Sequence, residues 1–276
     1  FYSLGKVYDR NQYAPIAYNL SGFFPLDIGY VDISFVWVAT YRDYNVNIGI
    51  PIDISNIIIW GDKVVINNYY IISTSTISGK ISKRYLYTTG IDKNYDRKVI
   101  ANVSISNIVG DDVIGYFANF DDFNAGSNKH ITVSLSDTIL PNINTNYQLF
   151  TIHDKANVYQ ALLKATFTGL TKVYNAVTDG QTTYTISGII DGDIIDISNI
   201  YTSNFYDINV EDNKLMFINY VNLIGDNYFN YVIDASGYAY GQIIRKQLIP
   251  NFYSLGKVYD RNQYAPIAYN LSGFFP

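Results

Sequence analysis

Apolar and polar residues alternate along several short stretches of the chain. Ile131-Thr132-Val133-Ser134-Leu135-Ser136 alternates strictly, and Asn102-Val103-Ser104-Ile105-Ser106 does the same. Successive side chains of a strand point to opposite faces, so this period of two predicts half-buried β-strands. Ile, Val, Tyr, Phe and Thr dominate these stretches, and such residues suit a pleated, half-buried surface. The pattern predicts an all-β chain.

Clusters of Asn, Asp and Gly separate the predicted strands. Asn and Asp cap their own backbone and Gly accepts positive φ, so these clusters are predicted turns. Short strands between regularly spaced turns, in units of about 80 residues, are typical of β-sandwiches. The clusters are Gly110-Asp111-Asp112, Asn124-Ala125-Gly126, Asp191-Gly192-Asp193 and Gly225-Asp226-Asn227.

Residues 154–165 have a competing helical pattern. Four apolar residues fall at i, i+3, i+4 and i+7: Val158, Ala161, Leu162 and Ala165. Asp154 is a possible helix cap. The equivalent segments 77–87 and 238–249 lack this spacing. We therefore predict strand or irregular structure for all three segments.

An exact internal repeat decides the organisation of the chain. Residues 1–25 and 252–276 are identical at every position, at an offset of 251 residues. A fold tolerates many sequences, so such identity indicates recent duplication of a coding unit. We expect the chain to be part of a longer tandem array, with one 251-residue repeat followed by the start of the next.

A diverged repeat of about 80 residues lies inside the 251-residue unit. Three markers recur in a fixed order with nearly constant spacing. The first is Tyr followed by Asp or Asn, at Tyr8-Asp9, Tyr95-Asp96, Tyr174-Asn175 and Tyr259-Asp260. The second is an Asp-x-Asn triplet, at Asp43–Asn45, Asp122–Asn124 and Asp207–Asn209. The third is Asn-Tyr, at Asn68-Tyr69, Asn146-Tyr147 and Asn230-Tyr231.

The spacing of these markers predicts four segments. Residues 74–150 and 151–233 are predicted as complete β-sandwich modules. Residues 1–73 are predicted as a module that lacks its first strand. Residues 234–276 are predicted to supply that leading strand, at about 238–251, and the first part of a fourth module.

Each marker has a structural interpretation. Tyr8 and its equivalents are predicted as core residues whose hydroxyl reaches a backbone group, as in a tyrosine corner. Asp9 and Asp96 would cap the turn that follows, and the Asp-x-Asn triplets would form tight turns between strands. The alternative is a binding site repeated along the chain, but a marker present in every module is usually a folding determinant.

These residues resemble a known family, the YDG-type repeats of filamentous-haemagglutinin-like surface adhesins, which are relatives of the MBG-type Ig-like modules. The similarity covers nearly the whole chain, with Arg10, Arg97 and Ala176 in place of the family's Gly. It implies tandem extracellular Ig-like sandwiches, arranged like beads on a string in a stalk or fibre. The residues on which it rests include Lys6-Val7-Tyr8-Asp9, Lys93-Asn94-Tyr95-Asp96, Asp122–Gly126 and Lys172-Val173-Tyr174.

Composition narrows the possible chemistry. The chain has no Cys, which excludes thiolate metal sites and cysteine nucleophiles, and its net charge of −5 argues against nucleic-acid binding. Its densest apolar run, Ile57–Trp60, is too short to span a bilayer. No nucleophile elbow, P-loop or dinucleotide fingerprint is present. We therefore expect no catalytic site, no cofactor and no membrane span in these residues.

Three weaker sites remain as alternatives. Asp111, Asp112, Asp121 and Asp122 could bind calcium, although they lack the 12-residue loop pattern, so turn chemistry is favoured. His130 and His153 are the only histidines and lack identifiable catalytic or metal-binding partners. Lys6, Lys93 and Lys172 occupy matching positions, where a Lys–Asn isopeptide crosslink is conceivable.

The sequence supports three hypotheses of function. The favoured one is a structural, non-enzymatic repeat of a long extracellular or surface fibre, whose partners are neighbouring copies of itself. The second is an adhesin module that binds a glycan or protein on a target surface through exposed tyrosines. The third is a discrete subunit whose C-terminal segment donates a strand to the next copy.

Overall fold

The structure, a computed structural model, describes residues 1–19, 21–27, 34–60, 62–70, 76–136, 144–235 and 237–275. The chain divides into two compact units. Unit 1 comprises residues 1–93, 98–123 and 127–157. Unit 2 comprises residues 94–97, 124–126 and 158–276.

The described residues contain one short α-helix, Lys63–Ile66 (α1), and two 3₁₀ turns, Asn144–Asn146 and Tyr228–Asn230. None of these helices is long and apolar enough to cross a membrane. Almost all other regular structure is β, which confirms the predicted all-β class. The first thirteen strands are Tyr2–Ser3 (β1), Lys6–Val7 (β2), Ile16–Ala17 (β3), Ser34–Tyr41 (β4), Asn47–Trp60 (β5), Ile77–Ser82 (β6), Arg84–Ile91 (β7), Lys93–Asn94 (β8), Asn102–Ser106 (β9), Tyr116–Phe120 (β10), Gly126–Leu135 (β11), Tyr147–Leu149 (β12) and His153–Tyr159 (β13).

The strands up to Ser82 form a four-stranded sheet of order β2–β6–β5–β4 and a two-stranded sheet of order β1–β3. β2 runs parallel to β6, while β4–β5 and β5–β6 are antiparallel. The following strands form a sheet of order β10–β11–β13–β8 and a sheet of order β12–β7–β9. One core cluster in unit 1 joins Tyr8, Tyr41, Ile52 and Ile81 to Leu86 and Tyr147.

Unit 2 contains two larger sheets, of order β16–β14–β21 and β15–β22–β19–β18. Both contribute residues to one core, which includes Phe167, Phe205, Met216, Ile218 and Ile243, so the sheets form a sandwich. The strands are Ala161–Gly169 (β14), Thr171–Val173 (β15), Thr182–Ser187 (β16), Ile195–Ile197 (β17), Thr202–Phe205 (β18), Glu211–Asn219 (β19), Leu223–Gly225 (β20), Tyr231–Ala235 (β21), Tyr238–Ile244 (β22), Ile249–Ser254 (β23) and Ile267–Ser272 (β24).

The alternating patterns form strands as predicted. Residues 102–106 are β9, and Ile131 and Val133 of β11 are buried while Thr132 and Ser134 between them are exposed. The competing helix does not form, because residues 153–159 and 161–169 are the strands β13 and β14. In β14 the period of two buries Leu163, Ala165 and Phe167, which the helical pattern does not group together.

The strand that follows each predicted boundary pairs with the sheet before it. β6 lies beyond residue 73 and pairs with β5, and β22 lies beyond residue 233 and pairs with β19. Residues 238–244 therefore pair with strands that lie before residue 233 in the chain. The strand after them is β23, at 249–254. The four predicted segments themselves stay a prediction.

The duplicated segment forms an antiparallel pair with the same register in both copies, over two residue pairs in the first and six in the second. Tyr2 pairs with Ala17 in β1–β3, and Tyr253 pairs with Ala268 in β23–β24, at the same register. The surroundings differ, because Tyr8 is 2% exposed whereas Tyr259 is 84% exposed. The hairpin conformation is thus set by the segment itself. Burial of its apolar residues requires further strands.

Candidate functional site

Two tyrosines in unit 1 converge on one buried carboxylate. The Tyr8 and Tyr147 hydroxyls donate to Oδ2 of Asp112, at 3.0 and 2.7 Å. The two rings meet edge to face with centroids 5.3 Å apart, a favourable geometry for aromatic pairs. Nη1 of Arg10 lies 3.4 Å from Oδ1 of Asp112. We call Tyr8, Asp112, Tyr147 and Arg10 cluster 1.

A tight turn places Asp112 in cluster 1. The Asp112 backbone N–H donates to the Val109 carbonyl, and the Val109 N–H donates to the Tyr147 hydroxyl. Tyr147 therefore both accepts from the turn and donates to its aspartate. The buried hydroxyls of Tyr8 and Tyr147 both have hydrogen-bond partners, which offset the cost of burying them.

Unit 2 contains the same arrangement. Tyr95 and Tyr231 donate to Oδ2 of Asp193 at 2.8 and 2.7 Å, and their rings lie edge to face at 5.4 Å. Nε of Arg97 lies 3.2 Å from Oδ1 of Asp193. The Ile190 N–H donates to the Tyr231 hydroxyl at 3.0 Å. We call Tyr95, Asp193, Tyr231 and Arg97 cluster 2.

Half of such a cluster lies at Asp27. Tyr69 donates to Oδ2 of Asp27 at 2.6 Å, and the Phe24 N–H donates to the Tyr69 hydroxyl at 3.1 Å. The Asp27 N–H bonds the Phe24 carbonyl, so the turn matches 109–112 and 190–193. Within the described part of the chain, no second tyrosine bonds Asp27.

An asparagine pair accompanies each cluster. Oδ1 of Asn146 accepts the Val46 N–H at 2.7 Å, and its Nδ2 donates to Asn45. Oδ1 of Asn230 accepts the Ala125 N–H at 2.7 Å, and its Nδ2 donates to Asn124. Asn146 and Asn230 are buried, and each accepts a hydrogen bond from the backbone N–H that directly follows an Asp-x-Asn triplet. We call these the asparagine clamps.

The other markers have local roles. Asp9, Asp43, Asp207 and Asp260 each accept a backbone N–H from the residue two positions further along, so each caps the turn that follows it. Asp96 is exposed. Asp122 bonds Lys129.

The first tyrosine of each cluster differs from its prediction in one respect. Tyr8 and Tyr95 are buried, as predicted, but their hydroxyls reach carboxylates and not backbone groups. Tyr174 occupies the equivalent position in unit 2 and is half-buried.

The described residues form no metal or catalytic site at the positions of the calcium and histidine alternatives, and the lysines considered for crosslinks bond backbone carbonyls. Asp112 is occupied by cluster 1, and the described residues contain no group of three acidic, His or Cys side chains that could hold a metal. The His130 and His153 rings are 5.0 Å apart, and both residues are exposed. Nζ of Lys93 donates to the carbonyls of Lys98 and Ile100, and Nζ of Lys172 donates to those of Val177 and Asp179, so both lysines order loops.

Sequence reasoning placed Asp112 and Asp193 in turns and noted Arg10 and Arg97, but it did not link these residues to the tyrosines, and it missed Asp27. Asp27, Asp112 and Asp193 precede the tyrosine that they bond by 42, 35 and 38 residues, so their spacing is less regular than that of the markers. A signal was nevertheless present, because each is followed by an aliphatic residue and ends a turn.

Burial shifts the acid–base behaviour of the clusters. Burial, and then the hydrogen bond to Asp112, raise the pKa of Tyr8 to about 12. Burial and Asp193 likewise raise the pKa of Tyr231 to about 12. Burial alone would raise the pKa of the Asp193 carboxyl, but hydrogen bonds from Tyr231, Tyr95 and Asn227 outweigh it and hold that pKa below its usual range. The neutral tyrosines and the charged aspartate stabilise each other.

We expect stability to fall between about pH 10 and about pH 12. Unfolded tyrosine ionises near pH 10, whereas folded Tyr8 and Tyr231 ionise near pH 12, so the unfolded state loses protons first. Each tyrosine then contributes about 2–3 kcal/mol that is present below pH 10 and lost across this window. Urea unfolding at a series of alkaline pH values measures the decline. Tyr8→Phe with Tyr231→Phe should make the decline shallower without abolishing it, because burial also raises the pKa of Tyr95 and of Tyr147. An unchanged decline in that variant would contradict the assignment.

Two comparisons with known proteins found no match. No protein-family model matches the chain, and no curated protein is significantly similar to it. The resemblance to YDG-type repeats therefore stays a hypothesis, and the function must be argued from the clusters and the repeat.

Proposed function

We propose that the chain is a structural, non-enzymatic repeat of a long extracellular or surface fibre built from tandem Ig-like β-sandwich modules. The observation that supports this most is the recurrence of one composite cluster. In clusters 1 and 2 the first tyrosine comes from one set of strands, and the aspartate and second tyrosine come from the next set along the chain. A device that joins successive modules in the same way is what a linear array requires.

The burial of the cluster residues favours a structural role over a repeated ligand site. Tyr8, Tyr95, Tyr147 and Tyr231 are each no more than 3% exposed, and their hydroxyls are all bonded within the protein. A ligand would have to displace these partners.

The experiment that tests the array is peptide counting on the native polypeptide. Trypsin releases Val7–Arg10 and the identical Val258–Arg261, whereas Tyr85–Lys93 occurs once. A long array gives a ratio of these two peptides near one, and a chain of 31.3 kDa gives a ratio of two. We expect a ratio near one, an intact mass well above 31.3 kDa and antibody labelling at regular intervals along surface filaments. A ratio of two with a mass near 31.3 kDa would overturn the array.

One observation favours a second candidate, the strand-donating subunit. The β23–β24 hairpin exposes Val258, Tyr259 and Ile267, whereas the identical segment at the start of the chain buries Tyr8 and Ile16. Such a hairpin could occupy the place of residues 1–25 in another copy. It would have to displace a segment identical to itself, which gives no net gain, so we favour the array. The ratio of two described above would support the donor arrangement.

A further inference from the structure

Tyr174 and Asn209 face one cavity of about 600 Å³ in unit 2. Val210, Ala176, Arg245 and Phe275 also line it. Among the residues that the structure describes, the Tyr174 hydroxyl, the Asn209 Oδ1 and the Val210 N–H have no hydrogen-bond partner. We call this cavity and its lining the Tyr174 surface.

The Tyr174 surface presents the same groups that are paired elsewhere. Tyr174 occupies the position of Tyr8 and Tyr95, whose hydroxyls bond Asp112 and Asp193. The backbone of Tyr174 supports this equivalence. The Tyr174 N–H donates to the Ile244 carbonyl, and the Tyr8 N–H donates to the Ser82 carbonyl in the same way.

The turn at Asn209 matches the clamped turns in the same way. Asn209 and Val210 occupy the positions of Asn45 and Val46, which the clamp residue Asn146 bonds. The cavity thus contains the first half of a cluster and the first half of a clamp.

The complementary halves lie at the Asp27 turn. Asp27, Phe24 and Tyr69 are bonded to one another as Asp112, Val109 and Tyr147 are. Asn68 precedes Tyr69 as the clamp residues precede Tyr147 and Tyr231. Within the described residues the Asn68 side chain bonds only the local Val64 carbonyl, at 3.1 Å.

The second copy of the duplicated segment, residues 252–276, indicates how the Asp27 turn and the Tyr174 surface fit together. Phe275 is the counterpart of Phe24, and its ring meets that of Tyr174 edge to face at 6.2 Å. In cluster 1 the counterpart Val109 packs against the core cluster that includes Tyr8. Asp27 follows Phe24 by three residues, so a copy that continues the repeat would bring its aspartate to the Tyr174 surface.

We propose that the Tyr174 surface binds the Asp27 turn of the next copy of the 251-residue repeat. This rests on the proposed array. Tyr174 donates to the carboxylate of the copy's counterpart of Asp27, and its ring packs on the counterpart of Tyr69. The counterpart of Asn68 accepts the Val210 N–H and donates to Asn209. The result is a third cluster and a third clamp, and the partner is the chain's own repeat.

The test compares the full chain with a chain extended through the second repeat to the counterpart of Ser82. Amide exchange at Val210 is measured in both by NMR. We expect exchange to be slower by at least roughly tenfold in the extended chain only. Replacing the second-copy counterpart of Asn68 by Ala should restore fast exchange. The same substitution at Asn68 of the first copy is the matched control and should leave Val210 unchanged.

A second readout isolates the tyrosine. Tyr174→Phe should lower the unfolding midpoint of the extended chain and leave that of the full chain unchanged, while Tyr220→Phe, at a 74% exposed tyrosine, should change neither. Equal Val210 exchange in both chains, with Tyr174→Phe neutral in both, would overturn the inference. That outcome is distinct from failure of the array, which the peptide ratio reports independently.

Discussion

Replacement of Asp112 by Ala should lower the free energy of unfolding by about 3–5 kcal/mol. The Asp112 side chain is 4% exposed, accepts hydrogen bonds from Tyr8 and Tyr147, and forms an ion pair with Arg10. Its loss leaves two buried hydroxyls without an acceptor and removes the partner of a cation. Asp112→Asn keeps an acceptor oxygen for both tyrosines, so its loss should be smaller, about 1–2 kcal/mol.

The neighbouring aspartate provides the control. Asp111 is exposed, so Asp111→Ala should change stability by no more than about 0.5 kcal/mol. Urea unfolding followed by near-ultraviolet circular dichroism reports the tyrosine environment and the stability together. Equal stability of the Asp112→Ala and Asp111→Ala chains would show that cluster 1 contributes nothing to the fold.

Gly169→Ala should destabilise unit 2 by about 2–3 kcal/mol, because the site has no space for a methyl group. A Cβ at this position of β14 would overlap Sδ of Met216 and lie 2.7 Å from Cα of Gly241. Met216 is fully buried in the core, and Gly241 offers backbone, which moves least easily.

An open glycine gives the matched control for this substitution. A Cβ at Gly237 would have nothing within 4 Å, so Gly237→Ala should leave the unfolding midpoint nearly unchanged. Thermal unfolding of both variants measures the difference. If Gly169→Ala unfolds at the same temperature as Gly237→Ala, the close approach of β14 to β22 is not required by the fold.

The strands were predictable because their signal is local. The alternation in β9 and β11 depends only on which face each side chain takes, and the recurrence of Tyr8, Tyr95 and Tyr174 shows in the letters alone. The clusters were not predictable, because their partners lie far apart in sequence. Tyr8 and Asp112 are separated by 104 residues, and Val46 and Asn146 by 100.

The pairing partners of β6 and β22 could not be predicted for a related reason. For example, β6 belongs to one sheet and β7 to the next, yet the two strands have the same alternating pattern. Only Lys83 separates them. Nothing in that local pattern states which neighbour a strand will pair with, since pairing is decided by long-range registers such as Ile52 with Ile77.

The absence of an arginine at Ala176 has a mechanical consequence. Arg10 and Arg97 take the same left-handed backbone conformation as Ala176, and each places a cation beside its cluster aspartate. A third cluster built on Tyr174 would lack a cation at this backbone position. In the proposed fibre under tension, we expect the joints between 251-residue repeats to yield before the joints inside them. The repeat period would then set the spacing at which a stretched fibre lengthens, and each opened joint could close again when the load falls.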